Sequence, residues 1–297
     1  MEENEKRIFD SPAKINLFLR IVQRREDGYH DIETLFQKID LVDRMEFRFL
    51  PESTGVSRND IFLSIEGAGL ENLRLEDNLI SRAWRAIREA AGIEIPPVEI
   101  ILKKHIPTGG GLGGGSSNAA TALRAFCECF EPDLPPQRVH AIASQLGADV
   151  PFFLESSCAI GKGIGDILEP VHHGSYLWLA MAFPEYGVST PEVYRAYQPG
   201  TDHETGHLKE LIHALKMHDT DAVLQNCFNE MEGLAFSIRP ELGRLRDRLE
   251  ALAGRPVRMS GSGSTLYTLC AERDDATAIV EKWREVADLR TGHYRFM

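Results

Sequence analysis

The stretch PTGGGLGGGSSN, residues 107–118, decides the fold of this 297-residue chain. It lies between a predicted strand, Val98–Leu102, and a helix-like stretch, Ala119–Phe130, and six of the seven residues 109–115 are glycine. Backbone binding of a phosphate requires positive φ angles, no obstructing side chains and a helix N-terminus with free N–H groups. The stretch therefore predicts a phosphate-binding loop. The alternative interpretation of the same residues is a flexible linker or a wide turn.

Two better-known phosphate loops fit this stretch poorly. No lysine follows the glycines, so the P-loop pattern is absent. Gly109, Gly111 and Gly114 match the dinucleotide pattern G-x-G-x-x-G, but such a match is nearly guaranteed in so glycine-rich a run. No parallel βαβ series surrounds it, although a dinucleotide fold requires one. A nucleotide-dependent oxidoreductase therefore rests on a weak match. The second glycine cluster, Gly161–Gly165, is predicted to be a turn or strand edge rather than a ligand loop.

Helices and strands outside the loop are predicted from periodicity and capping residues. A strand over Ala13–Val22 places Lys14 and Asn16 on one face, because side chains alternate along a strand. The helix Leu79–Ala91 is capped by Asn78 and ended by Gly92. The further predicted helices are 137–146, 240–253, 275–286 and one with Thr190 as its N-cap; the further predicted strands are 34–41, 177–183, 257–259 and 266–269. Segregated elements of this kind favour an α+β fold over a doubly wound sheet.

Length and composition restrict the class of protein. A chain of 297 residues suits two domains, and 43% apolar with 26% charged residues is typical of globular proteins. The net charge of -12 argues against nucleic acid or anionic membranes as partners. Five scattered cysteines without paired CxxC units give no zinc motif and fit a reduced, cytoplasmic protein. The charged N-terminus, Met1–Lys6, is predicted to be no signal peptide, and no apolar run is long enough to span a membrane.

Three motifs in order resemble those of the GHMP kinases. They are the segment at 107–120, the segment PAKINL at 12–17 and the segment SGSGST at 260–265. Further segments resemble the branch that acts on a cytidine-diphosphate-linked polyol, namely AKINLFL (13–19), DGYH (27–30), TLF (34–36), LGADVPFF (146–153) and VSTP (188–191). Gly110 stands where alanine is common in the family, which should loosen the loop.

The resemblance implies a fold and a reaction. The fold would be the two-domain GHMP kinase fold, with a ribosomal protein S5 domain 2-like N-terminal domain (1–167) and a ferredoxin-like C-terminal domain (168–297). The active site would lie in the cleft between them. The reaction would be transfer of the ATP γ-phosphoryl group to the 2-hydroxyl of 4-diphosphocytidyl-2-C-methyl-D-erythritol, a step of the non-mevalonate route to isoprenoids. Small molecules would be the partners of a cytoplasmic monomer or homodimer.

The same resemblance implies two catalytic residues and an ATP loop. Asp149 would orient the attacking hydroxyl and accept its proton, and Lys14 would keep Asp149 ionised and stabilise the transferring phosphoryl group. By position alone, Asp149 would be a solvated loop residue and Lys14 an exposed strand lysine. The expected ATP-binding residues are Pro107, Thr108, Gly109, Gly110, Gly111, Leu112, Gly113, Gly114, Gly115, Ser116 and Ser117. Mg²⁺ is expected with ATP, and a serine of this loop could contribute to its site.

A second set of residues is expected to bind the substrate. Tyr29, His30 and Tyr194 would recognise cytosine, because a flat base needs an aromatic platform and a polar partner for its edge. Asn16 would bind a hydroxyl or phosphate oxygen, and Thr190 would face the ligand. One of Lys103, Lys104 and His105 could contact ATP, and a solvated strand end is an equal alternative.

Two further functional alternatives remain open at this point. The chain could be a GHMP kinase acting on mevalonate, homoserine or a sugar, against which Tyr29, His30 and the Asp149 segment argue. It could also be a non-enzymatic relative that kept the fold as a binding module. Intact Lys14 and Asp149 beside a complete glycine loop argue against that, because a module without catalysis has no need of them.

Overall fold

The computed structural model of the chain describes residues 6–51, 55–67, 78–198, 208–286 and 289–297. The strands are β1 (Lys6–Arg24), β2 (His30–Phe49), β3 (Ile61–Glu66), β4 (Val98–Lys103), β5 (Cys158–Lys162), β6 (Ile167–Pro170), β7 (Trp178–Phe183), β8 (Phe228–Asn229), β9 (Arg258–Met259), β10 (Leu266–Cys270) and β11 (Arg290–Arg295). The helices are α1 (Leu79–Ala91), α2 (Gly114–Phe130), α3 (Pro136–Leu146), α4 (Val150–Glu155), α5 (Thr190–Ala196), α6 (Leu208–Met217), α7 (Thr220–Asn226), α8 (Met231–Ile238), α9 (Pro240–Ala253) and α10 (Arg273–Trp283). The mixture confirms the predicted α+β class. The N-terminal segment predicted to be no signal peptide lies, apart from Lys6, outside the described residues.

The chain forms two compact units that are discontinuous in sequence. The first unit comprises Met1–Ala13, Leu41–Ile106 and Gly114–Glu155, and the second comprises Lys14–Asp40, Pro107–Gly113 and Ser156–Met297. Strands β1 and β2 therefore contribute residues to both units. The expected domain boundary after residue 167 is a single cut, which does not describe this exchange of segments, and it stays a prediction.

The first unit packs helices against a small sheet. β4 pairs antiparallel with β2 and parallel with β3, and helices α1 to α4 contact one another beside it. Trp84 of α1 is fully buried and stacks on Phe47 of β2 with ring centroids 5.3 Å apart. It also meets Phe126 of α2 edge-on at 5.1 Å, so one indole ring joins the sheet to two helices.

Helix α1 has the predicted bounds, because both of its ends are set by local chemistry. The Asn78 side chain accepts a hydrogen bond from the Ile80 N–H at 2.9 Å, and Gly92 adopts φ 65° at the other end. Asparagine satisfies a free N–H group at the start of a helix, and glycine enters the left-handed region without a steric penalty.

The second unit contains an antiparallel sheet with the strand order β11-β7-β10-β9. The connection β7, helices, β9, β10, α10, β11 is the β-α-β-β-α-β sequence of a ferredoxin-like fold, as the resemblance implied. Helices α8, α9 and α10 close a buried apolar cluster, in which the Trp283 indole donates to the Leu249 carbonyl at 3.0 Å.

The second unit also holds the parts of β1 and β2 that carry Lys14, Asn16 and His30. β1 pairs in parallel with β8, with Phe18 opposite Phe228, and β2 pairs with β5, which turns back into β6. The cluster Gly161–Gly165 is therefore the end of a strand and its turn, as predicted. The first strand is longer than the predicted 13–22 because it continues on both sides of the apolar run, and β2 likewise extends beyond the predicted 34–41.

Candidate active site

The glycine-rich stretch forms a loop that leads into helix α2. Gly109, Gly111 and Gly113 have φ angles of 73°, 76° and 68°, a region that suits glycine. Helix α2 begins at Gly114 rather than at the predicted 119, so Ser116 lies in its first turn. The first glycine loop, residues 107–113, is therefore followed directly by a helix N-terminus with free N–H groups and a partial positive charge.

The first glycine loop is fixed by two other segments of the second unit. Lys14 Nζ and Ser260 Oγ each donate to the Gly111 carbonyl at 3.0 Å. The Thr265 N–H donates to the Gly110 carbonyl at 3.3 Å. Ser260 and Thr265 are the first and last residues of the second glycine loop, residues 260–265, whose motif resembles that of the family but whose sequence alone predicts no role for its residues. Two glycine motifs about 150 residues apart thus form one structure with β1.

Lys14 is a buried, oriented cation. Its side chain is 5% exposed, and Nζ also donates to Asn16 Oδ1 at 2.7 Å, in agreement with the predicted shared face. The amide orientation of Asn16 follows from Thr34, whose hydroxyl donates to the Phe18 carbonyl at 2.6 Å and must therefore accept from Asn16 Nδ2 at 2.8 Å. The Asn16 oxygen is left facing the ammonium group.

Asp149 lies in the first unit, in the turn between α3 and α4. Because proline disfavours helical backbone at the residue before it, the sequence predicts extended backbone before Pro151. This prediction is wrong, since Val150 begins α4, with Pro151 in its first turn. Proline is tolerated there because the N–H group it lacks would have no partner in the helix. A Cβ atom on Gly147 would lie 3.9 Å from Ser116 Oγ, so the turn that carries Asp149 approaches the start of α2.

The two serines at the start of α2 differ in what they can offer a ligand. Ser117 is fully buried, and its hydroxyl accepts a hydrogen bond from Ser11 at 2.9 Å. Ser116 is half-buried in the first turn of the helix. A hydroxyl directed at a bound phosphate or cation is therefore better supplied by Ser116.

The predicted cytosine set is partly assembled in the second unit. The rings of His30 and Tyr194 stack with centroids 4.9 Å apart and planes 23° apart, and Tyr197 meets His30 edge-on at 5.8 Å. Burial, and secondarily the charge of Arg24, lower the pKa of His30, so the ring is neutral at neutral pH. Its Nε2 atom is shielded from solvent and has no hydrogen-bond partner among the described residues. Tyr29, beside it, is 63% exposed.

Thr190 connects helix α5 to the second glycine loop. Its Oγ1 atom lies 2.7 Å from Ser262 Oγ. Ser189, not Thr190, occupies the N-cap position, and Thr190 is the first residue of the helix. The Thr190 hydroxyl is therefore not used as a cap.

The three basic residues before the first glycine loop have different surroundings and partners in the structure. Lys103 is half exposed and lies 3.8 Å from Glu66. Lys104 is 12% exposed and donates to Asp43 Oδ2 at 2.5 Å. Asp43 is fully buried and also accepts from the N–H groups of His105 and Ile106 at 2.7 and 2.8 Å. Asp43 was missed, because nothing in its sequence surroundings marks it as a buried acceptor.

Other chemistry receives little support from the described residues. Within them, no three His, Cys, Asp or Glu side chains come together in a way that could hold a metal ion, and none of the helices has the length and apolarity to cross a membrane. The five cysteines are free, and burial raises the pKa of Cys158 and Cys227 to about 12. Both are therefore protonated and unsuited to nucleophilic roles.

Comparison with known proteins matches this chain to kinases, in agreement with the phosphate-binding geometry of the site. The family model for the GHMP kinases N terminal domain matches residues 78–157, and that for the GHMP kinases C terminal matches residues 208–289. The 4-diphosphocytidyl-2-C-methyl-D-erythritol kinase of Pelotomaculum thermopropionicum is 37% identical over 92% of each chain. The enzyme of that name from Chlorobaculum tepidum is 38% identical over 91% of each chain.

Solved structures agree with these matches. A crystal structure of 4-(cytidine 5'-diphospho)-2C-methyl-D-erythritol kinase, 35% identical, superposes with a TM-score of 0.79 over 97% of this chain and 99% of that one. A homoserine kinase from Cytophaga hutchinsonii, 17% identical, superposes with a TM-score of 0.74 over 100% of this chain and 95% of that one, which shows the shared fold alone. The chain belongs to the 4-diphosphocytidyl-2-C-methyl-D-erythritol kinase family of the GHMP kinases.

Proposed function

We propose that this chain transfers the γ-phosphoryl group of ATP to the 2-hydroxyl of 4-diphosphocytidyl-2-C-methyl-D-erythritol, in the non-mevalonate route to isoprenoids. The observation that carries the proposal is the 37–38% identity, over more than nine-tenths of the chain, to kinases named for that substrate. The stacked His30–Tyr194 pair supports it independently, since it suits a ligand with a flat base. A cytoplasmic location and a monomeric or homodimeric state stay predictions.

ATP would bind through its phosphates at the first glycine loop and the start of α2. Gly109 has a φ angle of 73°, and a Cβ atom there would meet no atom within 4 Å, so the backbone at this point is open to a ligand. The N–H groups of the first turn of α2 would point at the phosphates, and the helix dipole favours their negative charge. This local attraction offsets the repulsion expected from a chain of net charge -12.

The chemical step would require a base and a fixed positive charge. Asp149 would accept the proton of the 2-hydroxyl while that oxygen forms a bond to the γ-phosphorus. The bond from the γ-phosphorus to the bridging oxygen breaks, and its electron pair leaves on ADP. Lys14, already buried and aimed by Asn16 and Gly111, would stabilise the charge on the transferring group, which is most of what catalysis demands in a loose transition state.

Mg²⁺ fits this site in the manner usual for phosphoryl-transfer enzymes. It is commonly held by one or two protein groups together with substrate phosphates and water, so the lack of a carboxylate cluster among the described residues is compatible with it. Ser116, half-buried in the first turn of α2, would be the protein hydroxyl available to the ion. When bound, the ion would neutralise charge on the β- and γ-phosphate oxygens.

The cytidine part of the substrate would bind at the aromatic set. The base would stack with the His30–Tyr194 pair, and His30 Nε2, which lacks a partner among the described residues, would bond its polar edge. Thr190 and the exposed Tyr29 would contact the same ligand, and Asn16 would bind a hydroxyl or phosphate oxygen near Lys14.

The test is a coupled ADP-release assay with ATP and Mg²⁺. The purified chain is given 4-diphosphocytidyl-2-C-methyl-D-erythritol, mevalonate or homoserine in parallel. We expect ADP release with the cytidyl substrate alone. Turnover of mevalonate or homoserine instead would keep the phosphoryl-transfer site but reject the cytosine pocket, and silence with all three from folded protein would reject the kinase function.

A further inference from the structure

Asn229, at the end of β8, has a side-chain amide that is completely used inside the protein. The residue is 7% exposed. Its Nδ2 group donates to the carbonyls of Met259 at 2.8 Å and Gly261 at 2.7 Å, and its Oδ1 atom accepts from the Met231 N–H at 3.0 Å. Both amide hydrogens therefore go to the chain on either side of Ser260, at the start of the second glycine loop.

Asparagine is the side chain that meets these demands. Aspartate has the same shape but no hydrogen to donate, and glutamine is longer by one methylene group. Alanine would leave two carbonyls without their partner in a buried place, which is costly. The second glycine loop therefore determines which residue type is needed at position 229. The strand β8 does not, because any residue other than proline could make its backbone pairing with β1.

The segment that Asn229 holds, residues 259–261, lies against the groups that orient the Lys14 side chain. Ser260 Oγ donates to the Gly111 carbonyl at 3.0 Å and accepts from the Asn16 N–H at 3.3 Å. Gly261 has a φ angle of 57°, and a Cβ atom there would lie 3.3 Å from both Asn16 Oδ1 and the Gly111 carbonyl oxygen. Those two oxygens are the ones that accept hydrogen bonds from Lys14 Nζ.

We propose that Asn229 is a positioning residue for phosphoryl transfer: by fixing Met259 and Gly261 it places the Asn16 and Gly111 oxygens and so directs the Lys14 ammonium group. This inference rests on the proposed function, in which Lys14 acts on the transferring phosphoryl group. The side-chain polar atoms of Asn229 are all used inside the protein, so it is given no contact with either expected ligand. Its loss should therefore be felt in the chemical step more than in nucleotide affinity.

The direct test is Asn229→Asp, with Asn226→Asp as the matched control. The change at Asn229 keeps the size and the acceptor for Met231 and removes both donor hydrogens. Asn226 lies three residues earlier, at the end of α7, and its Nδ2 group donates to the Ala222 carbonyl of the same helix at 2.8 Å. Misplacement of a catalytic group by about 1 Å reduces rates by about 10²-fold, so we expect kcat of Asn229→Asp to fall roughly 10- to 100-fold with KM for ATP changed less than about threefold.

The assays are made on protein shown to be folded by circular dichroism and by a cooperative urea transition. A kcat for Asn229→Asp within about twofold of the Asn226→Asp value would overturn the proposal. Should Asn229→Asp fail to fold, Ser260→Ala tests the same link, since it removes only the hydroxyl that joins Gly111 to Asn16. Loss of kcat with ATP affinity retained supports the link, and unchanged kcat overturns it.

A second readout separates this inference from the proposed function. The rate at which an amine-modifying reagent labels Lys14 is followed by peptide mass spectrometry, with Lys104 as the reference in the same sample. Lys14 and Lys104 are 5% and 12% exposed, so both should label slowly. We expect Asn229→Asp to raise the Lys14-to-Lys104 ratio by about threefold or more, as for a locally loosened site, and Asn226→Asp to leave it unchanged. An unchanged ratio in both variants would reject the role of Asn229, whereas absence of turnover in the unmodified protein would reject the proposed function alone.

Discussion

Replacing Gly111 by alanine tests whether the two glycine loops form one rigid structure. Gly111 has a φ angle of 76°, and a Cβ atom there would lie 2.1 Å from the Ser260 carbonyl oxygen and 3.3 Å from the Gly263 carbonyl oxygen. Both neighbours are backbone atoms, so no side chain can rotate away to make room. The loops would have to separate, and the Gly111 carbonyl would move away from Lys14 and Ser260.

The size of the effect can be bounded. Holding alanine at a left-handed φ costs about 1–2 kcal/mol, and overpacking a tight contact adds about 1–3 kcal/mol. Gly109→Ala is the matched control, since Gly109 has a φ angle of 73° but a Cβ atom added there would meet no atom within 4 Å. We therefore expect Gly111→Ala to lose about 2–5 kcal/mol of unfolding free energy and Gly109→Ala about 1–2 kcal/mol.

Urea unfolding without nucleotide measures both values, so contacts between a new methyl group and ATP do not enter the comparison. The kcat of Gly111→Ala should also fall roughly 10²-fold, since the acceptor that aims Lys14 is displaced. Equal losses of stability in the two variants would show that the φ angle, not the contact with Ser260, determines the cost, and would refute the reasoning.

Three further predictions follow from the same geometry. A Cβ atom on Gly110 would lie 2.7 Å from Thr265 Oγ1, so Gly110→Ala should lose about 1–3 kcal/mol of unfolding free energy. Adding Thr265→Ala should restore most of that loss, and additive losses in a double-mutant cycle would contradict this. Asp149→Asn should lower kcat by roughly 10²–10⁴-fold while the Kd for ATP, measured by calorimetry, changes less than about threefold, and near-normal turnover would remove its role as base. Because burial and Arg24 lower the pKa of His30, the unfolded chain takes up its proton near pH 6.5 and the folded chain only at lower pH. Stability should therefore fall as the pH drops from about 6.5 toward the folded pKa. Over this pH range, the unfolding free energy of His30→Phe should fall less than that of the unmodified chain. Urea unfolding at several pH values measures both, and an identical pH dependence in the two proteins would argue against this.

Prediction from sequence succeeded where local chemistry sets the structure. The bounds of α1 and of α9 were obtained because Asn78, Gly92 and Gly254 satisfy helix ends by themselves. It failed where tertiary contacts override local preference. Glycine is a poor helix former, which hid the start of α2 at Gly114, and Pro151 suggested extended chain although it occupies the first turn of α4.

The structure does not show the open space beside Gly110 that a loosened loop would require. Alanine is common at this position of the family motif, and glycine there was expected to loosen the loop. In this chain the Thr265 side chain occupies the space that a methyl group would need, 2.7 Å from a Cβ atom on Gly110. Glycine at 110 is thus matched to threonine at 265, and the tightness of the loop comes from a residue 155 positions away that no local pattern reveals.

The same limit explains why the sequence predicts the shared face of Lys14 and Asn16 but not the groups that support it. Lys14 and Asn16 are two residues apart on one strand, so alternation along the strand places them on one face. The bond between Asn16 and Ser260 joins positions 244 residues apart, and Asn229 reaches the second glycine loop through a strand of two residues. A strand so short has no periodicity to detect, yet it holds the amide on which the aim of the ammonium group depends. A motif therefore predicts which groups take part in the reaction, while the residues that hold those groups in place become visible only once the chain has folded.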